Sequence, residues 1–143
     1  MNISKLSDII TNQHALEAAK SALKDGLIVF ASNENYFSFS DGDRFGYIQF
    51  DSHGSCSLIL EYQPSIINGS GALFRSDFYI PSGNYARAMR ECLHFSPIRL
   101  TGGTEKYYKS VSQFIKTEYS WCIDRTFVFH GDIFTPASYY LNK

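Results

Sequence analysis

Four stretches of strand-like sequence follow one another between Leu27 and Tyr62 at hairpin spacing, and this run limits the fold more than anything else in the chain. Leu27-Ile28-Val29-Phe30-Ala31 is β-branched and aromatic, as a buried strand requires. Tyr36 to Ser40 sets Phe37 and Phe39 on one face, and Phe45 to Asp51 follows. Cys56 to Tyr62 then alternates Leu58, Leu60 and Tyr62 against Ser57, Ile59 and Glu61. Between them, Asp41-Gly42-Asp43 and Ser52-His53-Gly54-Ser55 place a glycine where a tight reversal needs positive φ. The pattern predicts a four-stranded antiparallel meander.

Helical periodicity flanks this run on both sides. Ile3, Leu6, Ile9 and Ile10 share one side of a short first helix. A second starts near Asn12 as its cap, carries Leu16, Ala19 and Leu23, and stops at Gly26. After the meander, Gln63 to Gly71 is too polar and glycine-rich for regular structure, and Ala72 to Ile80 reads as a fifth strand ended by Pro81. A helix then carries Tyr85, Met89, Cys92 and Leu93, with Pro97 beyond its end. Another is capped by Thr104 and sets Tyr108, Val111 and Ile115 on one face with Phe114 alongside. A last strand, Thr126 to His130, precedes a tail with Tyr139 and Tyr140. The expected class is α+β: an antiparallel meander sheet of four to five strands with helices packed on one face, residues 1–143 forming a single domain.

Composition narrows the class further. With 143 residues, 44% hydrophobic and 19% charged, the chain is too apolar for disorder and long enough to bury a core without a metal or a disulfide. Leu27 to Ala31 is its longest apolar run, far short of a membrane span, and the first residues lack the basic and apolar regions of a secretory signal. The expected location is cytoplasmic. Cys56, Cys92 and Cys122 are odd in number and sit among apolar neighbours, so they read as reduced core thiols.

Residues that could carry chemistry are sparse. Cys92, His94, Cys122 and His130 are zinc-ligand types, but their spacing lacks the close pairs of a structural zinc site, so neither a metal nor another cofactor is expected. A Cys56–His53 nucleophile pair is opposed by Cys56 sharing a strand face with Leu58 and Leu60. Gly102-Gly103-Thr104 reads as a helix cap, since it lacks the Gly-Lys-Ser/Thr ending of a phosphate loop and Glu105 would repel an anion. The loop around Asn68-Gly69-Ser70-Gly71, with Arg75 downstream, offers a backbone nest and a guanidinium for a carboxylate or phosphate.

Charge is uneven along the chain. Residues 1–71 hold only Lys5, Lys20, Lys24 and Arg44 against a larger number of carboxylates, whereas the second half is net basic. There Arg87, Arg90, Lys106 and Lys109 interleave with Tyr85 and Tyr107, forming a candidate basic and aromatic face for a partner. Ten Tyr, twelve Phe and one Trp exceed what a core of this size needs, so some rings must be exposed, as at protein interfaces.

No nucleophile elbow, metal-binding helix pair, phosphate loop, dinucleotide fingerprint or kinase set occurs. The stretch from Gly46-Tyr47-Ile48-Gln49-Phe50-Asp51 to Gly69-Ser70-Gly71-Ala72-Leu73-Phe74-Arg75, about the middle third of the chain, resembles uncharacterised accessory proteins of bacterial phages and plasmids, with no single family indicated. That resemblance implies an inhibitor of a host system, such as a defence complex, that acts by occupying a protein surface. The function expected is therefore non-catalytic protein binding through the aromatic surface and a sheet edge, with a host protein or complex as partner. A small enzyme or anionic-ligand binder built on the 68–75 loop is the first alternative, and a nucleic-acid-binding accessory protein the second.

Overall fold

The computed structural model describes residues 3–42, 44–54, 56–60, 74–78, 84–94 and 111–141. Helix α1 (Ile3–Ile9) leads into α2 (Gln13–Lys24), then β1 (Ile28–Ala31), β2 (Tyr36–Ser40), β3 (Phe45–Phe50), β4 (Cys56–Leu60) and β5 (Phe74–Phe78). Helix α3 (Tyr85–His94) and helix α4 (Val111–Glu118) follow, then a 3-10 segment (Ser120–Arg125), β6 (Phe127–His130), β7 (Ile133–Pro136) and the single turn α5 (Ser138–Leu141).

Helix α2 is defined by its ends and its stripe. The Asn12 side chain accepts from the backbone N–H of His14 and Ala15 at 2.8 and 3.1 Å, satisfying donors that the first turn leaves open. At the other end Gly26 takes φ +89, so that the N–H of Leu27 reaches the Ala22 carbonyl at 2.9 Å and that of Gly26 the Leu23 carbonyl at 3.0 Å. Between them Ala15, Leu16, Ala18, Ala19, Ala22 and Leu23 are buried. Small residues along that stripe let the helix lie close to the sheet.

The seven strands among the described residues form one antiparallel sheet in the order β5-β4-β3-β2-β1-β6-β7. The meander expected from the sequence runs outward from β1 through β5, and β5 occupies part of the predicted Ala72–Ile80 strand. On the other side of β1 the C-terminal strand β6 pairs with it, Val29 opposite Phe129, and β7 extends the sheet beyond the five strands expected.

Helices pack on one face as the sequence implies. There Val29, Ala31, Phe37, Phe39, Ile48, Phe50 and Phe129 meet Leu6 and Ile10, the α2 stripe, and Tyr85, Met89 and Leu93 of α3. The opposite face is covered as well: Phe30, Phe45 and Val128 pack with Phe114 and Ile115 of α4, Tyr119, Cys122 and Ala137. The Phe45 and Phe114 rings stack at 4.4 Å between centroids, and Phe30 lies 5.0 Å from Phe114. Ser38 and Ser40, which alternate with the phenylalanines of β2, are buried beneath this second layer. Each hydroxyl has a partner, Ser38 bonding to the Tyr119 hydroxyl and Ser40 accepting from the N–H of Gly42 at 2.8 Å.

The cap of α4 expected at Thr104 lies outside the described residues. The tail is docked: the N–H of Ala137 donates to the Thr126 carbonyl at 2.9 Å, and Tyr140 and Leu141 pack against the second-face cluster.

Candidate functional site

The basic and aromatic face predicted from the sequence is placed in part. Tyr85 is only 5% exposed, and its ring stands edge-on to Phe50 at 6.0 Å, so it supplies core rather than contact surface. This corrects its assignment as a partner-binding residue: its place on the apolar stripe with Met89 points the ring at the sheet. Arg87 is exposed, and its Nε donates to Glu91 Oε2 at 3.3 Å one turn along α3. Arg90 donates from Nε to Asp25 Oδ2 at 2.6 Å and from Nη2 to the Asp25 carbonyl at 3.2 Å. It thereby joins α3 to the C-terminus of α2, where a cation is favoured. Both guanidiniums already face a carboxylate.

Arg75 occupies the second position of β5, opposite Ile59. Asn68, Lys106, Tyr107 and Lys109 lie outside the described residues, as does the glycine-rich loop that holds Asn68.

Among the described residues no cluster of three or more His, Cys, Asp or Glu side chains could hold a metal ion. Cys122 is buried with its Sγ 3.4 Å from Thr126 Oγ1, and that hydroxyl donates to the Cys122 carbonyl at 2.8 Å. His130 stands at the far end of β6 from this pair, so the sequence does not bring the two together. The side chains of Cys56, Cys92 and His94 lie outside those described. His53 is exposed in the β3–β4 turn, where its N–H donates to Asp51 Oδ1 at 2.8 Å.

Among the described residues, the large exposed apolar side chains lie elsewhere. Trp121 is 69% exposed, Ile133 66% and Tyr139 50%, and all three belong to the C-terminal segment around β6 and β7. Trp121 lies in the 3-10 segment, whose chain departs from helical geometry at Cys122 (φ −136, ψ 32). Burying Cys122 there leaves its neighbour outside. The indole N–H donates to the Glu118 carbonyl at 3.2 Å, and the Arg125 guanidinium carbon lies 5.2 Å from the ring centroid. Tyr139 meets Tyr140 at right angles, centroids 5.6 Å apart, and burial pushes the Tyr140 phenol above its ordinary range, with Tyr139 adding to the shift. Burial also raises Tyr36, reinforced by Cys122 and opposed by the positive charge of Arg125. Tyr36 thus shares its electrostatic surroundings with the Cys122–Arg125 end of the 3-10 segment.

The composition shows a surplus of aromatic residues but not which of them are exposed. The available signal was the single Trp between Ser120 and Cys122, at the point where helical periodicity ends and strand periodicity begins. No helix among the described residues is long and apolar enough to cross a membrane. Comparison with protein-family models, with characterised proteins and with solved structures gives no match.

Proposed function

We propose that the chain is a non-catalytic protein-binding module whose contact surface is the C-terminal segment carrying Trp121, Ile133 and Tyr139. The supporting observation is where the large exposed apolar side chains fall among the described residues: each of these three is at least half exposed, beside a core that buries Phe30, Phe37, Phe39, Phe45, Phe50, Phe114 and Phe129. A chain that can seal so many rings has no packing reason to leave these in water. Tryptophan and tyrosine give a large contact area for few rotatable bonds and dominate binding energy where they are covered. The narrower setting, a phage- or plasmid-borne inhibitor that occupies a host defence complex, rests on the likeness of residues 46–75 alone.

The alternatives have less behind them. Nucleic-acid binding through α3 is opposed by the pairing of Arg87 with Glu91 and Arg90 with Asp25, which leaves little positive charge for phosphates. An anion site at residues 68–75 draws only on the sequence.

The reading predicts that the immobilised chain captures a specific protein from a lysate of its own cells. Trp121→Ala with Tyr139→Ala should reduce that capture by about thirtyfold, the effect of losing one hot-spot residue. Both positions are exposed, so unfolding midpoints should stay close to the parent's. Equal capture by parent and variant, or capture of nucleic acid alone, would refute the assignment.

A further inference from the structure

Four arginines have described side chains, and three are engaged within the fold. Arg44 donates from Nη1 to the Leu93 carbonyl at 3.1 Å, Arg87 pairs with Glu91, and Arg90 pairs with Asp25. Arg125 differs. It is exposed, it has no carboxylate partner among the described residues, and its guanidinium is laid over the exposed ring of Trp121. The ring is itself held by the bond from its N–H to Glu118, so the cation and the indole are presented together. A guanidinium held over a ring by its charge still carries N–H donors, which match a carboxylate in a two-bond fork.

Building on the protein-binding reading, we propose that Trp121 and Arg125 form the docking point for a peptide segment of the partner with one carboxylate beside a large apolar residue. The carboxylate pairs with the N–H donors of Arg125, and the apolar side chain lies on the indole face that Arg125 leaves uncovered. Nearby charge sets the number of carboxylates. Asp124 is exposed next to Arg125, and Glu118 lies one helical turn before Trp121, so a dense acidic run or a polyphosphate backbone meets repulsion that a single carboxylate tolerates. The docking point therefore selects an isolated Asp or Glu with an apolar neighbour.

The test is a peptide library displayed on phage, selected on the full chain and counter-selected on Trp121→Ala. Trp121 is the only tryptophan in the sequence, so each selected peptide can be measured by the emission of the very ring it is expected to cover. Enriched peptides should carry Asp or Glu within two positions of a large apolar residue and should shift that emission to shorter wavelength. They should bind Arg125→Ala about tenfold more weakly, and Arg125→Glu more weakly still, the loss expected for a charge-assisted hydrogen bond. Enriched peptides that lack a carboxylate, or that bind Arg125→Glu as well as the parent, would overturn the acidic docking point and leave the protein-binding reading standing. If no peptide distinguishes the parent from Trp121→Ala, both fail.

Discussion

Replacing Phe114 with alanine is expected to lower the free energy of unfolding by about 3–5 kcal/mol, a large part of the roughly 5–15 kcal/mol that holds a domain of this size together. Phe114 is fully buried and, among the described residues, packs against the rings of Phe45 at 4.4 Å, Phe30 at 5.0 Å and Tyr119 at 5.9 Å between centroids. Removing it opens a cavity between α4 and the sheet that cannot collapse, because β1 and β3 are held from the other side by α2 and α3. The helix itself stays intact, since alanine is its best former. Denaturant unfolding measures the loss directly. A change below about 1 kcal/mol would mean that α4 does not cover the second face, because only an exposed phenylalanine can be truncated so cheaply.

Gly54→Ala should follow in size, at about 2–4 kcal/mol. Two effects combine there. Gly54 has φ +94, which an L side chain rarely adopts, and a Cβ at that position would sit 3.0 to 3.2 Å from three atoms of the His14 ring. The close approach ties the β3–β4 turn to the first turn of α2, alongside the bond from Asn12 Nδ2 to the Asp51 carbonyl at 3.1 Å. Gly42 provides the control, since it has φ +100 with nothing within 4 Å of its notional Cβ. Gly42→Ala therefore carries backbone strain alone, about 1–2 kcal/mol. The difference between the two variants measures the His14 contact, and it should shrink when His14→Ala is combined with Gly54→Ala. Equal losses at the two glycines would show that the turn does not rest on α2.

Much of this architecture was legible from local patterns. The α2 boundaries follow from Asn12 and Gly26, because a cap and a left-handed stop are decided by neighbouring backbone groups. The meander follows from alternation and glycine turns for the same reason. Pairing of β6 with β1 joins segments about a hundred residues apart, and no local pattern encodes which earlier strand a later one will join. The sequence Ile133-Phe134-Thr135-Pro136 is short and ends in proline, a weak strand signal that only its pairing with β6 makes decisive.

The second helical layer was hidden by serine. Phe37 and Phe39 alternating with Ser38 and Ser40 reads as a strand with one wet face, yet both hydroxyls are buried and bonded. The candidate site shows the same limit. Arg87 and Arg90 read as a solvated basic pair, but a partner such as Asp25, distant in sequence, is visible only in the fold. The charge and aromatic pattern counts Tyr85 toward a contact face, whereas its helical spacing with Met89 marks it as core.

The most direct measurement of the central claim places a photo-crosslinking benzoylphenylalanine at position 121, and separately at position 87 on α3, in the cells that make the protein. Both sites are exposed, and one large aromatic group replaces another at 121, so the fold should tolerate each probe. If the C-terminal surface is the interface, irradiation should join the 121 probe to one partner protein, in an adduct that Arg125→Glu diminishes, and leave the 87 probe largely unjoined. A specific adduct from position 87 with none from 121 would contradict the account and move the interface to the other face of the sheet.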